Sequence, residues 1–411
     1  MNNRPDILVV AHRVPYPPDK GDRIRVFHLL KYLSGFASLH LACLADEPVA
    51  DGALGVLNGI CKRVAVVPIG PGRWLRGIGS LVRGRSISEG VFSSPQLNHV
   101  LRTWAATTRF RAAIASSSAV APYLWTGKLV KVPAVVDLID VDSQKWFDYA
   151  TASSFPRSWL YRVEGRRLRN AERGIASWAE AVTLVSESEA DLLRRHVPQG
   201  RIHAAGNGVD LVFFEPEISP QVGEGCIFTG AMDYRPNVDA VSWFAKEVWP
   251  SVRTANPTAT FRIVGRSPSN AVQRLAAIAG IEVTGAVADV RPYLRSAAVA
   301  VAPLRIARGL QNKVLEALAM AKPVVATPAA LAGFRNDVPA IRADSPVEWI
   351  DRINHLLENA DERRVVGGMG REFAERLHDW NRCLEPFREL LGLSTTRTVA
   401  ESSFEMAGAL P

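Results

Sequence analysis

Two cations, a glycine and a carboxylate stand close together in Arg308-Gly309-Leu310-Gln311-Asn312-Lys313-Val314-Leu315-Glu316. The nonapeptide lies between the apolar runs 299–304 and 323–326, so the pattern reads as buried strand, glycine turn, helix start and helical carboxylate. The first N–H groups of a helix lack intrahelical partners and carry partial positive charge, which attracts a diphosphate. Glu316 follows two turns later with two acceptor oxygens, enough for a pair of ribose hydroxyls. The stretch predicts a nucleotide-sugar donor site. An ordinary strand-turn-helix crossover with a surface glutamate is the competing reading.

Other strand ends add to this. Gly230 follows the run 226–229, and Gly265-Arg266 follows 261–264. Arg266 suits a phosphate or a stacked base, or a solvent-facing turn. The segment 285–289, with Val287 at its centre, is placed where a base would lie. In the first half, His12 ends a strand and is a candidate donor to an acceptor, or a satisfied core histidine. The loop that follows carries Lys20, Gly21 and Arg23 at a helix start, with Gly21 allowing close backbone approach to a ligand. Asp137-Leu138-Ile139-Asp140-Val141-Asp142-Ser143-Gln144-Lys145-Trp146 places three carboxylates, a hydroxyl, a lysine and an indole at another strand-to-helix junction. Asp142 or Ser143 is expected as the helix N-cap. Asp140 is the candidate to orient or deprotonate an acceptor hydroxyl, with Ser143, Lys145 and Trp146 beside it. Three aspartates without a histidine are a weak metal signal, and no metal or cofactor is expected.

Short β-branched runs alternating with longer amphipathic stretches position these groups, the mark of βαβ units around parallel sheets. One series runs through the first half and a fresh one begins near residue 226. Between them, 213–223 is rich in Pro, Glu and Gly and reads as a linker. The expected organisation is α/β, with a Rossmann-like domain at 1–212, a linker at 213–225, a second Rossmann-like domain at 226–365, a returning helical segment at 366–393 and a loose tail at 394–411. Ligand sites then fall at the C-terminal ends of both sets of strands, in the cleft between them.

At 411 residues the chain exceeds one ordinary core, which fits two domains. No apolar run approaches the roughly 20 residues of a membrane span, and no apolar leader precedes the first strand, so a cytoplasmic protein is expected. Four scattered cysteines fit reduced thiols. The net charge of +8 is uneven: residues 1–210 hold 27 Lys+Arg against 18 Asp+Glu, the remainder 22 against 23. The basic half suits an anionic membrane surface or a phosphorylated acceptor, or is merely solvated. No nucleic-acid-binding signature is present. The segment 73–85 mixes four arginines with Trp, Leu, Ile and Val, as an interfacial peptide does. Its interior glycines make it a poor helix, and a solvated loop is the competing reading.

The ordered series Ser186-Glu187-Ser188-Glu189, Asn207-Gly208-Val209-Asp210, Phe228-Thr229-Gly230, Ile263-Val264-Gly265 and Lys313-Val314-Leu315-Glu316-Ala317 resembles the retaining family 4 glycosyltransferases over nearly the whole chain. The segments 135–146 and 230–240 are similar to bacterial sugar transferases associated with exosortase/PEP-CTERM systems and exopolysaccharide biosynthesis. The resemblance implies a GT-B fold, with two Rossmann-like domains facing each other across a cleft. It also implies metal-independent transfer of a sugar from a nucleoside-diphosphate donor, with retention, to a glycan or polyprenyl-linked acceptor at the inner leaflet. Three positions depart from the family's pattern. Arg308 stands where the first of two glutamates is usual, Ala231 and Asn237 replace the usual Arg and Lys, and Asp140 takes a strand-end position often held by His. Arg308 and Lys313 are then expected on the diphosphate above the Gly309 and Leu310 amides, with Gln311 and Glu316 completing the donor grip. A nucleotide-sugar epimerase and a non-catalytic donor-binding subunit are the rival readings.

Overall fold

The structure, a computed structural model, describes residues 4–216, 223–307, 309–335 and 337–394. The chain divides into two compact units. One runs to Gly206 and takes in the chain from Leu384, and the other spans Asn207–Cys383.

The first unit is a seven-stranded parallel sheet in the order β3-β2-β1-β4-β5-β6-β7. Its strands are β1 (Asp6–Ala11), β2 (Ser38–Ala45), β3 (Arg63–Pro68), β4 (Ala112–Ser116), β5 (Ala134–Ile139), β6 (Ala181–Leu184) and β7 (Ile202–Ala204). Strands covered by helices on both faces have no polar side. Ile7 to Val10 in β1 and Ile114 and Ala115 in β4 are accordingly without exposure. The order reverses between β1 and β4, and the loops at their C-terminal ends diverge there.

The second unit repeats the plan with six parallel strands, β10-β9-β8-β11-β12-β13. These are β8 (Cys226–Thr229), β9 (Phe261–Val264), β10 (Ile281–Gly285), β11 (Val299–Ala302), β12 (Val324–Ala326) and β13 (Ile341–Arg342). Phe228, Phe244, Phe261, Trp249 and Trp349 fill its core. The helices Pro346–Glu358 and Ala360–Leu377 complete the unit, and Trp380–Leu390 spans the point at which the chain rejoins the first.

Four features differ from the sequence reading. Strands β7 and β13, of three and two residues, are too short to show a period. The stretch expected as linker is fixed where it is described: the Arg291 guanidinium lies 3.9 Å over the Phe213 ring, and Arg371 donates to the Leu211 and Phe214 carbonyls. The division therefore falls upstream, after Gly206, while 217–222 and the tail from 395 lie outside the described residues. Third, 73–85 is helical over Arg73–Val82 despite its glycines. A Cβ on Gly90 of the next helix, Ile87–Val91, would lie 2.4 Å from Arg76 O and 2.8 Å from Gly77 Cα, so the absent side chains let the two helices touch backbone to backbone. Finally, Val141, not Asp142 or Ser143, is the N-cap of the helix Asp142–Thr151. Carboxylates from elsewhere replace a local cap, with Glu189 accepting from Val141 N and Glu172 from Ser143 N and Oγ.

Candidate functional site

In the second unit the sequence-selected residues converge at the C-terminal ends of β8, β9 and β11. Gly230 and Gly265 touch. A Cβ on Gly265 would lie 1.7 Å from Gly230 O, and one on Gly230 would meet Asn237 Nδ2 at 2.8 Å and Lys313 Nζ at 3.2 Å. Lys313 Nζ donates to Asn237 Oδ1 at 2.6 Å and sits 4.2 Å over the Phe228 ring. Asn237 Nδ2 in turn donates to Ala231 O, so Ala231 and Asn237 form one polar floor with Lys313.

The helix Asn312–Ala319 begins after Gln311, and Glu316 lies in its second turn. Gly309 has φ 59°, a left-handed turn that an L side chain resists. Its carbonyl packs where a Cβ on Gly333 would come within 2.2 Å. Among the described residues the amides of Leu310, Asn312 and Lys313 make no hydrogen bond, and neither does the Glu316 carboxylate. Asn312 Oδ1 accepts from Asn207 Nδ2 at 3.2 Å, which ties the helix start to the Asn207-Gly208-Val209-Asp210 element. Burial pushes Glu316 up to about 7 against the opposing charge of Lys313, and burial pushes Lys313 down to about 7 against that of Glu316. Donors without acceptors, beside an acceptor without donors, suit a ligand carrying phosphate and hydroxyls.

Arg308 lies outside the described residues. Arg266 is half-buried and its carbonyl accepts from Met232 N. Val287 packs against the unit's core, and Asp289 is bound by Arg291, so the 285–289 loop is held from within.

In the first unit the C-terminal ends of β1, β4 and β5 gather His12, Ser116 to Ser118, Asp140 and Asp142. His12 Nε2 is 2.9 Å from Asp22 Oδ2 and Nδ1 is 3.1 Å from Ser116 O, so both ring nitrogens face acceptors. Burial opposes the charge on Asp22, but His12 and Arg13 outweigh it and hold the carboxyl far below the usual range. Arg13 also binds Asp46.

Backbone strain aims Asp140. Ile139 has φ 72° and Ser117 has φ 96°, both unfavourable for side chains of their type. Asp140 N donates back to Leu138 O at 2.9 Å, closing a three-residue turn on Ile139. The pairing of β5 with β6 slips at this point. Asp140 Oδ1 is buried with no hydrogen-bond partner. Burial, then the charges of Glu189 and Asp142, raise Asp140 to about 7, with Lys145 and Arg25 opposing. Burial likewise raises Asp142, against Lys145, His12 and a hydrogen bond from Ser118. At neutral pH Asp140 is thus divided between acid and carboxylate, the state suited to moving a proton.

Other first-unit candidates are occupied. Lys20 and Arg23 both pair with Glu47, and Arg23 also with Asp19, around the exposed Gly21. Ser143 is buried against Glu172, and Trp146 packs with Tyr149 and Tyr161. Sequence reasoning gave no site role to Asp22, Ser118, Asn237, Glu172 or Glu189. Asp22, one residue past the glycine at a helix start, Asn237, in a noted substitution, and Glu189, in the Ser186–Glu189 element, carried a local signal; Ser118 and Glu172 carried none.

Residues 223–359, about a third of the chain, match the family Glycosyl transferases group 1. No curated protein matches the chain. Solved structures resemble it over almost its full length. Sucrose-phosphate synthase from Thermosynechococcus elongatus has a TM-score of 0.71 at 16% identity, covering 94% of this chain and 98% of that one. Anabaena HepE in complex with UDP and glucose has a TM-score of 0.66 at 14% identity, covering 95% and 100%. The fold is GT-B. An S. aureus TarM mutant in complex with UDP and two further ligands has a TM-score of 0.66 at 11% identity, covering 94% and 99%. The residues matched to the family include the Gly230, Gly265 and Lys313–Glu316 cluster. No helix among the described residues is long and apolar enough to cross a membrane.

Proposed function

We propose that this chain transfers a sugar, with retention and without a metal, from a nucleoside diphosphate to a growing glycan on a lipid carrier, in exopolysaccharide assembly. The observation that carries the donor half is that, among the described residues, the Leu310, Asn312 and Lys313 amides at one helix start and the Glu316 carboxylate in its second turn are all unengaged. Glu316 takes the ribose hydroxyls. The amides, Lys313 and Arg266 take the diphosphate, and Arg308 joins them from the position where the resembled family has a glutamate. Such fixed charge stabilises a phosphate leaving group more than it stabilises the bound donor, because charge develops there in the transition state. Complexes of HepE and TarM with UDP support a uridine donor.

On the acceptor side, Asp140 meets the attacking hydroxyl, and His12, its two ring nitrogens held by Asp22 and the Ser116 carbonyl, helps to fix the loops around it. The strained Ile139 turn favours this assignment, because a fold retains such strain where it positions a group.

Calorimetry with UDP, GDP, ADP and their sugar conjugates, repeated on Glu316→Ala, tests the reading. Binding of one nucleotide family, weakened at least tenfold in the variant, is expected; no binding to any overturns it. Arg308 favours a second reading, donor binding without turnover, which a transfer assay on lipid extracts separates.

A further inference from the structure

The helix Arg73–Val82 is packed inside out. Its small residues Gly77 and Ser80 are buried against the helix Ile87–Val91, while Trp74, Leu75, Ile78 and Val82 are 62%, 76%, 60% and 84% exposed. Water-facing helices normally show the reverse, and large apolar side chains collected on one exposed face mark a contact surface. The neighbouring helix Arg157–Trp178 adds exposed Phe155, Trp159 and Leu160 at its start. The two stretches share one support: Glu164 accepts from Ile87 N and Ser88 N, and Gly84 lies against the Arg167 guanidinium.

Charge selects the occupant. Between 71 and 85 there are four arginines and no acid. In Arg157–Trp178 both glutamates, Glu164 and Glu172, are turned inward, while Arg157, Arg162, Arg166 and Arg173 face out. Exposed tryptophan and aliphatic groups, with the exposed Arg83 and Arg85 following in sequence, match the headgroup boundary of an anionic bilayer, where the rings enter the interface and the guanidinium groups meet phosphate.

We propose that this face seats the first unit on an anionic lipid surface. The helix is anchored at the catalytic edge of the sheet, since Arg73 Nη1 donates to Asp46 O at 3.2 Å and Asp46 pairs with Arg13, which pairs with Asp22 beside His12. Resting on the acceptor assignment above, the docked unit holds His12 and Asp140 near the plane from which a lipid-linked hydroxyl would rise.

Co-sedimentation of the full chain with vesicles tests this, using phosphatidylcholine alone and with about 30% phosphatidylglycerol. Binding is expected only with the anionic vesicles, weakened by salt. It should fall about tenfold or more in Trp74→Ser/Leu75→Ser/Ile78→Ser and, separately, in Arg83→Glu/Arg85→Glu. UDP calorimetry on the same variants should match wild type, which shows that they are folded and keeps donor binding separate from docking. Absence of vesicle binding by wild type overturns the proposal, as does binding that survives both variants. A wild-type dimer that the triple variant converts to monomer would assign the face to a second copy and overturn it too.

Discussion

Gly265 carries no side chain because the Gly230 carbonyl oxygen occupies the place of one, 1.7 Å from where a Cβ would stand. Backbone cannot move aside as a flexible side chain can, so Gly265→Ala should destabilise the second unit by about 3 kcal/mol or more. Gly230 has φ 150°, so Gly230→Ala is strained too, and its Cβ would press on Asn237 and Lys313 of the polar floor. It should lower the urea midpoint less than Gly265→Ala while also weakening UDP binding. Urea titration and UDP calorimetry on both variants check this.

Glu316 and Lys313 should separate by ligand. Glu316→Ala is expected to weaken uridine and UDP alike, by about tenfold to a hundredfold, as loss of hydrogen bonds to a charged acceptor does. Lys313→Met should weaken UDP by a similar factor and leave uridine unchanged, because its reach is to phosphate. Calorimetry with the two ligands reads the split.

Asp140 makes stability depend on pH. Its carboxyl rises from 3.8 to about 7 on folding. Below the lower value both states hold the proton and nothing is contributed. Between the two only the unfolded chain ionises, so stability falls as pH rises, and above about 7 the full cost is present. Asp140→Asn should therefore leave stability near wild type at about pH 4 and raise it by about 1–3 kcal/mol at about pH 8, with transfer lost. Urea unfolding at the two pH values tests the sign.

Arg25 and Asp137 form a fully buried, two-pronged pair, Nε to Oδ2 at 2.7 Å and Nη2 to Oδ1 at 2.9 Å, with Thr183 as a third donor. Removing one partner strands the other's charge, so Arg25→Leu should cost about 3–5 kcal/mol. The melting temperature of the variant measures it.

Local sequence carried what local physics decides. The runs that became β1–β6 and β8–β12 were legible because strands covered on both faces are largely apolar, and the edge strands β3 and β10 keep a short β-branched run. The glycines at their ends were legible because only glycine fits there. The lysine and glutamate of the donor helix stood within one turn of each other. The Arg25–Asp137 pair, 112 positions apart, had no such signal, nor had Glu172, whose role, like that of Glu189, depends on tertiary approach to the 141–143 backbone. The Arg73–Val82 helix was obscured because glycine is penalised by helix propensity and favoured by helix–helix contact, and only the folded chain shows which effect prevails. The 213–216 stretch carried Pro and Glu like a linker, while the carbonyls of Leu211 and Phe214 were claimed by Arg371, distant in sequence.

The left-handed isoleucine at 139 sets heat tolerance against chemistry. Holding that residue there costs about 1–3 kcal/mol, which glycine or asparagine would largely relieve. A library bred only for survival at high temperature would drift from isoleucine at this position and let the next residue, Asp140, lose its fixed aim. One bred for sugar transfer would keep the cost, so the occupant of position 139 would record which of the two pressures had shaped a population.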